Sequence, residues 1–248
     1  MDFKALIFDL DGTAIEAKLD AMPSKAVVEA VKLAKERIIV SIATGRPIAD
    51  GRDIIHALGI DQPCIVAGGT QLIDPATEEI IWEKKISKEN VRKVLNIGKK
   101  YQQKVLLGEG LKAKKTERNE NEEKNVLYML NVTPNVAKNI YKEIGEIPEL
   151  QAHEAGSWTP GLEDIHITHK EATKKNAMIE WAKLLKLRRE NIIAVGDRSN
   201  DLPLFEMAGY KIAVANAVDE LKSKADFIAP SVYEDGLVLV INKFILKK

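Results

Sequence analysis

Short apolar runs separated by amphipathic helices set the frame of this chain, and the rhythm breaks in the middle and returns near the end. Lys4 to Phe8 is an apolar strand, and Ser24 to Lys35 predicts a helix with Val27, Val31 and Ala34 along one face. Ile38 to Ala43 follows as a second strand. The next helix starts near Pro47, a residue suited to a first helical turn, and stops at Gly59, suited to a left-handed cap. Cys64 to Ala67 is a third strand. Strands alternating with helices imply a parallel sheet covered on its faces. Short strands at Gln71 to Ile73 and Glu79 to Trp82 flank the turn signal Asp74-Pro75-Ala76-Thr77, so a hairpin interrupts the parallel winding there.

Between Lys84 and Lys124 the composition changes: Lys and Arg outnumber Asp and Glu, and large apolar residues are sparse after Leu111. A helix from Lys88 to Tyr101, strands near Lys104 to Leu107 and Val126 to Val132, and a helix opened by Thr133-Pro134 begin an α+β insert. Strands through Glu149 to Trp158 and Leu162 to Thr168 complete it. Its surplus positive charge reads as a solvated face in preference to an anion-steering patch. Past Thr173, a good N-cap, come helix Lys174 to Leu185, strand Ile192 to Val195, a helix from about Asp201 to Met207, and strand Tyr210 to Val214. Asp226 to Ala229 and a helix from Gly236 to Phe244 follow. The expected organisation is an α/β, doubly wound, mostly parallel core made from residues 1–83 and 165–248, with an α+β domain inserted at 84–164.

The 248 residues suffice for a large core, and the 37 basic and 37 acidic side chains leave no global charge to attract nucleic acid. Cys64 lies in an apolar string and cannot make an internal disulfide, which fits a reducing, cytoplasmic setting. The N-terminus lacks a signal-peptide pattern, and no run approaches the ~20 apolar residues of a membrane helix. The expectation is a soluble, unprocessed monomer or homodimer without nucleic-acid or membrane partners.

Asp9 and Asp11 stand just past the apolar run Ala5-Leu6-Ile7-Phe8, where a buried strand hands the chain to a turn. Two neighbouring anions at such a place cost several kcal/mol unless a cation offsets them. Mg²⁺ suits them, because it takes hard oxygen ligands and bridges carboxylates to phosphate. Asp-Gly as a plain turn is the bland alternative. Ligands of open parallel sheets gather at the carboxyl ends of the strands. Thr44-Gly45-Arg46 follows strand two, Lys174 opens the helix after the insert, and Gly196-Asp197 with Asn200 and Asp201 follows the later strand. Taken singly, Thr44-Gly45 is an ordinary turn, Lys174 a surface lysine, and Asp197 and Asp201 helix caps.

As an ensemble they match phosphoryl transfer, which is catalysed by positioning and charge neutralisation. Asp9 can attack phosphorus, while Asp11 protonates the leaving oxygen and later takes a proton from water. Mg²⁺ would be held by Asp9, the backbone carbonyl of Asp11 and Asp197, with Asp201 acting directly, through water or through its neighbours. Thr44 offers a hydroxyl and Gly45 a backbone N–H to phosphoryl oxygens, and Lys174 adds positive charge near a helix start.

These segments resemble the haloacid-dehalogenase-like (HAD) hydrolases, in particular the Cof-type phosphatases with a type-II cap inserted after the second motif. Asp9-Leu10-Asp11-Gly12-Thr13 looks like the first motif, Ser41-Ile42-Ala43-Thr44-Gly45-Arg46 the second, Thr173-Lys174-Lys175-Asn176-Ala177 the third, and Gly196-Asp197-Arg198-Ser199-Asn200-Asp201 the fourth. Ala213-Val214-Ala215-Asn216-Ala217, Ala225-Asp226 and Glu234-Asp235-Gly236-Leu237 are further echoes. The resemblance implies a Rossmann-like HAD core in which Asp9 is the nucleophile and Asp11 the acid/base. It implies that Thr44 and Lys174 bind phosphate, that Asp197 binds Mg²⁺, and that Asn200 contacts phosphate or orders the site. The insert is shorter than in many Cof-type relatives and resembles the smaller caps of archaeal-type phosphoglycolate phosphatases.

The expected function is Mg²⁺-dependent hydrolysis of a small phosphorylated metabolite, a sugar phosphate or phosphoglycolate-like acid, with the insert as a lid. Phosphomutase activity is one alternative. A phospho-aspartyl signalling or binding protein without hydrolysis is another. His56, His153, His166 and His169 are too scattered for a zinc site. Trp158, beside a turn, is expected to pack in its own domain in preference to closing over substrate.

Overall fold

The computed structural model of the protein describes residues 3–18, 20–107, 122–157 and 159–248. Trp158 and the stretch beginning at Leu111 lie outside the described residues. In chain order the elements begin β1 (Ala5–Phe8), α1 (Lys25–Lys35), β2 (Ile39–Ile42), α2 (Ile48–Ala57), β3 (Cys64–Val66), β4 (Gln71–Ile73) and β5 (Ile80–Glu83). Then come α3 (Lys88–Lys100), β6 (Val105–Leu107), β7 (Val126–Val132), α4 (Pro134–Gly145), β8 (Leu150–Gly156) and β9 (Glu163–His169). The last are α5 (Lys174–Leu184), β10 (Ile192–Gly196), α6 (Leu202–Met207), β11 (Tyr210–Val214), α7 (Asp219–Lys222), β12 (Phe227–Ala229) and α8 (Gly236–Ile241).

The chain divides into two compact units, one from Met1–Trp82 with Thr173–Lys248, the other Glu83–Ala172. In the first, a sheet ordered β12-β11-β10-β1-β2 is parallel at every pairing. All four residues of β1 are buried, as expected for a strand covered on both faces. From β1 the chain crosses to β2 on one side, while β10 pairs on the other, which makes the carboxyl end of β1 the point where the winding reverses. A small sheet, β3-β4-β5, continues from the edge through a parallel bridge between Ala43 and Ile65. The expected hairpin is there, closed by Asp74, whose N–H donates to the Glu79 carbonyl and whose Oδ1 accepts from Ala76 and Thr77.

Helix ends follow local chemistry. Ser24 caps α1 by accepting from the Val27 N–H at 3.2 Å, and Thr173 caps α5 through the Asn176 N–H at 3.2 Å. The fully buried Trp181 on α5 donates from Nε1 to the Pro63 carbonyl at 3.0 Å, which also accepts from Ser41 Oγ at 2.6 Å. Cys64 is buried beside this junction, and burial pushes its thiol up to about 12, so it packs as a small apolar group. The single helix expected from Asp201 is a 3₁₀ turn over Ser199–Asp201 followed by α6. Likewise α8 passes into a π-helical turn at Asn242–Leu246.

The second unit is an antiparallel sheet, β6-β7-β9-β8, with α3 and α4 on one face. Val91, Val94, Ala137, Ile140 and Ile144 from the helices meet Leu127, Met129, Ile165 and Ile167 from the strands. Asn131 takes a left-handed φ of 57° where β7 bulges, and its N–H donates to Asp164 Oδ1 at 2.8 Å. The chain returns to the first unit at Thr173, which corrects the boundary expected at residue 165. The reason is pairing: β9 is matched to β8 from Glu163 through His169 and to β7 through Thr168, so the whole strand belongs to the insert sheet.

Two histidines that look isolated in sequence meet across β8 and β9. His153 and His166 are paired in register with ring centroids 5.7 Å apart, and Tyr128 sits edge-on to His166 at 4.5 Å. Burial, then the neighbouring His153, pushes His166 down to about 3, so the folded insert keeps it neutral. The unfolded chain would protonate it near 6.5. Its contribution is therefore fully present above that pH and is lost progressively as pH falls toward about 3. Hydrogen exchange at β7 and β9 is expected to reveal this acid weakening, and His166→Phe is expected to shed that component of the slope.

Candidate active site

Asp9 extends β1 by one rung, its N–H donating to the Val195 carbonyl at 3.0 Å, and its side chain is buried. The Lys174 ammonium, itself buried at the start of α5, lies 2.6 Å from Asp9 Oδ1 and 2.6 Å from Asp201 Oδ1. Lys174 reaches this point because α5 begins against the tight Ala67-Gly68-Gly69-Thr70 turn. Gly69 has φ 96°, and a Cβ there would overlap the Thr173–Lys174 peptide, so only glycine lets the helix start so close.

Asp201 holds its neighbours with both oxygens. Oδ1 takes the ammonium, and Oδ2 accepts from the backbone N–H groups of Asp197 at 3.1 Å and Arg198 at 3.3 Å. Asp197 is buried and receives the Thr13 hydroxyl on Oδ1 at 3.1 Å. The turn after β1 presses against it: Gly12 has φ 84°, and a Cβ would fall 2.8 Å from Asp197 Cγ. Asn216 ties that turn down. Its Nδ2 donates to the Gly12 carbonyl at 2.8 Å, and its Oδ1 accepts from the Val232 N–H at 2.8 Å.

Two buried carboxylates, Asp9 and Asp201, therefore share one ammonium, with the Asp197 carboxylate buried beside them. Burial raises Asp9 well above the usual carboxylate range; Lys174 offsets part of that, and Asp201 and Asp197 add to it. Burial, then the Asp201 charge, raises Asp197 to about 7. Burial alone would lower the Lys174 ammonium, but Asp201 and Asp9 outweigh it and hold it above the ordinary lysine value. Fully ionised, the three carboxylates would carry more negative charge than the one ammonium neutralises. Oxygens of Asp9, Asp197 and Asp201 lie within 4.8 Å of one another, and an all-carboxylate set of this kind fits a hard divalent ion such as Mg²⁺.

Asp11 stands apart. Its carboxylate is held by Arg46, with Nε donating to Oδ2 at 2.8 Å and Nη2 to Oδ1 at 2.6 Å. Thr44 is buried at the end of β2, and its Oγ1 accepts from the Arg46 N–H at 3.1 Å. Gly45 is the converse of Gly12: its φ needs no glycine, and a Cβ would meet no atom within 4 Å. Among the described residues nothing accounts for the missing side chain. Asn200 is exposed on the 3₁₀ turn, its side chain directed to the surface while Asp201 beside it is buried.

The structure thus gathers Asp9, Lys174, Asp197 and Asp201 in one cluster and brings Asp11 and Thr44 together through Arg46. Arg46, Thr13 and Asn216 are parts of the site that motif spelling alone does not assign. Their signals were adjacency to Thr44-Gly45, adjacency to Gly12, and the Ala-Asn-Ala string after β11.

No helix among the described residues is long and apolar enough to cross a membrane. A family model described as haloacid dehalogenase-like hydrolase matches residues 6–142 and 110–241. The chain is 36% identical over 98 residues to a 5-amino-6-(5-phospho-D-ribitylamino)uracil phosphatase of Bacillus subtilis, and 37% identical over 81 residues to phosphoglycolate phosphatase 1 of Saccharolobus solfataricus. These matches take in 39% and 33% of this chain and only 34% and 36% of the two relatives. A haloacid dehalogenase-like hydrolase from Bacteroides thetaiotaomicron has the same fold, with TM-score 0.84 and 18% identity over 98% of this chain and 99% of that one.

Removing one partner from a buried ion cluster leaves charge uncompensated and costs about 3–5 kcal/mol. Lys174→Met is expected to lower unfolding stability by that order, read from the urea midpoint without added metal.

Proposed function

Given that the chain belongs to the haloacid dehalogenase-like hydrolases, we propose that it is a phosphomonoesterase acting on small phosphorylated metabolites, with Mg²⁺ and a covalent intermediate on Asp9. The observation that carries this reading is the buried meeting of Asp9 with Lys174, Asp197 and Asp201 at the carboxyl end of the strand where the winding reverses. A carboxylate cluster of that cost is hard to explain as scaffolding.

Asp9 attacks phosphorus through one carboxylate oxygen. As the new O–P bond forms, the bond to the ester oxygen breaks, and Asp11 gives that oxygen its proton. Asp11 then takes a proton from water, whose oxygen attacks the aspartyl-phosphate and releases inorganic phosphate and free Asp9. Asp9, Asp197 and Asp201, with the backbone carbonyl of Asp11, would hold the metal. When bound, Mg²⁺ supplies positive charge against the phosphoryl oxygens. Lys174 keeps Asp9 oriented and balances its charge, while the Thr44 hydroxyl and the Gly45 N–H bind phosphoryl oxygens. The open space in front of Gly45 supports that role, since a phosphate needs room where a side chain would stand. Asn200 at the surface fits contact with an entering substrate better than support of the buried cluster.

The relatives' names supply the substrate class. One is named for a phosphorylated ribityl compound and another for phosphoglycolate, both small phosphate esters, so a sugar phosphate or phosphoglycolate-like acid is the preferred substrate. A lone buried thiol suits a cytoplasmic setting.

Hydrolysis of p-nitrophenyl phosphate is expected to vanish with chelation and return with Mg²⁺. Asp9→Asn is expected to lose at least about 10³-fold in kcat, a loss large enough to remove covalent catalysis and not merely trim it. Persistent turnover by Asp9→Asn would refute the covalent route. Gly45→Ala offers a cleaner probe of the phosphate site. With empty space around its Cβ, it should leave stability within about 0.5 kcal/mol. Crowding of the bound phosphate should nonetheless lower kcat/KM by about tenfold or more.

A further inference from the structure

We propose that Tyr233, flanked by Val218 and Met22, is a platform for the leaving group, and that the protein accordingly prefers an uncharged leaving group with a ring to one that carries a carboxylate. The inference rests on the phosphatase reading above and chooses between the two substrate classes left open there.

Tyr233 is the most exposed large apolar side chain among the described residues, at 71%. A scattered exposed aromatic is ordinary. This one is held out on a turn pinned from several sides, the 3₁₀ turn over Val232–Glu234 between β12 and α8. The Val232 N–H donates to Asn216 Oδ1 at 2.8 Å, and Asn216 Nδ2 donates to the Gly12 carbonyl, so one side chain joins this turn to the loop that carries Asp9 and Asp11. Glu234 Oε2 accepts from the N–H and the hydroxyl of Ser231 at 3.2 and 2.6 Å. Asp235 takes a left-handed φ of 52°, and its Oδ1 accepts from the Ser24 hydroxyl at 2.8 Å. At Gly236 a Cβ would fall 1.9 Å from the Pro230 carbonyl oxygen, so the turn closes tightly on its own start. An aromatic ring on a backbone so restrained offers contact area at little cost in conformational entropy.

The neighbouring segments repeat the pattern. Val218 is 41% exposed while its N–H donates to the Asp197 carbonyl at 2.9 Å. Met22 is 53% exposed, two residues before the Ser24 that binds Asp235. Glu16 raises the Lys18 ammonium and the Tyr233 phenol adds to it, which puts the phenol within electrostatic reach of the loop after β1. Exposed apolar groups therefore stand on the very segments that are tied to Gly12 and Asp197. Charge points the same way. Arg46 faces Asp11, Lys174 faces Asp9 and Asp201, Lys18 faces Glu16, and Arg198 Nε lies 3.7 Å from Asp197 Oδ2. A second carboxylate on the substrate would find those cations already answered and would meet the aspartates as like charges. An uncharged leaving group escapes that repulsion, and a ring gains contact with the tyrosine face.

The test compares benzyl phosphate with phosphoglycolate, both phosphate esters of a primary alcohol, one bearing an uncharged ring and the other a carboxylate. Each is read by its inhibition constant against hydrolysis of p-nitrophenyl phosphate in saturating Mg²⁺, which reports binding whether or not the ester itself turns over. Tyr233→Ser and Tyr233→Phe are set beside the wild type, with thermal melts to establish folding. The wild type is expected to bind benzyl phosphate more tightly than phosphoglycolate. Tyr233→Ser is expected to weaken benzyl phosphate by about tenfold, the scale of one lost aromatic contact, and to leave phosphoglycolate unchanged. Tyr233→Phe keeps the ring and should match the wild type on both esters. Equal weakening of the two esters in folded Tyr233→Ser, no change in either, or tighter binding of phosphoglycolate by the wild type would overturn the inference. Failure of the wild type to hydrolyse p-nitrophenyl phosphate would instead remove the phosphatase reading itself.

Discussion

One ammonium, buried between two carboxylates from opposite ends of the chain, is the constraint around which the first unit is arranged. Lys174 is 165 positions from Asp9 and 27 from Asp201 in sequence, yet it sits within 2.6 Å of both. Three charges withdrawn from water are tolerated only when each has partners at close range. The surrounding devices maintain that range. Gly69 admits the start of α5, Asp201 grips the backbone after β10, and Gly12 lets the loop after β1 close on Asp197. Asn216 then clamps that loop to the segment at Val232.

The four aspartates of the site fall into two environments that suit different tasks. Asp9, Asp197 and Asp201 form a buried cluster whose oxygens lie within 4.8 Å of one another and could hold a metal ion. Asp11 is partly exposed, at 29%, and belongs to a guanidinium. A nucleophile needs fixed orientation and charge balance. A proton carrier needs access to the departing oxygen and separation from the metal ligands. One residue, Leu10, separates Asp9 from Asp11, and the left-handed turn at Gly12 follows them both.

The insert obeys a simpler rule. Its antiparallel sheet buries one row of aliphatic side chains against α3 and α4, while Tyr128, His166 and His153 form a cross-strand row at the alternate positions. Period-two alternation sends neighbours in sequence to opposite faces, so this row is a product of register. Knowing that His166 lies on a strand does not reveal that His153 faces it.

What the sequence determined was local. Apolar runs and cap residues fixed β1, β7 and β11 and the starts of α1 and α5 to within a residue or so, because hydrophobic period and capping act over a few neighbours. The same locality made Asp9, Thr44, Lys174 and Asp197 recognisable at their strand and helix ends. Tertiary structure decided what those groups face. It gave β9 to the insert sheet through pairing, buried Asp201 while leaving Asn200 at the surface, and recruited Arg46, Thr13 and Asn216 by contacts across long stretches of chain. Those outcomes depend on which strands lie side by side and on where a buried charge can find its partner, and neither is encoded within a single short window of residues.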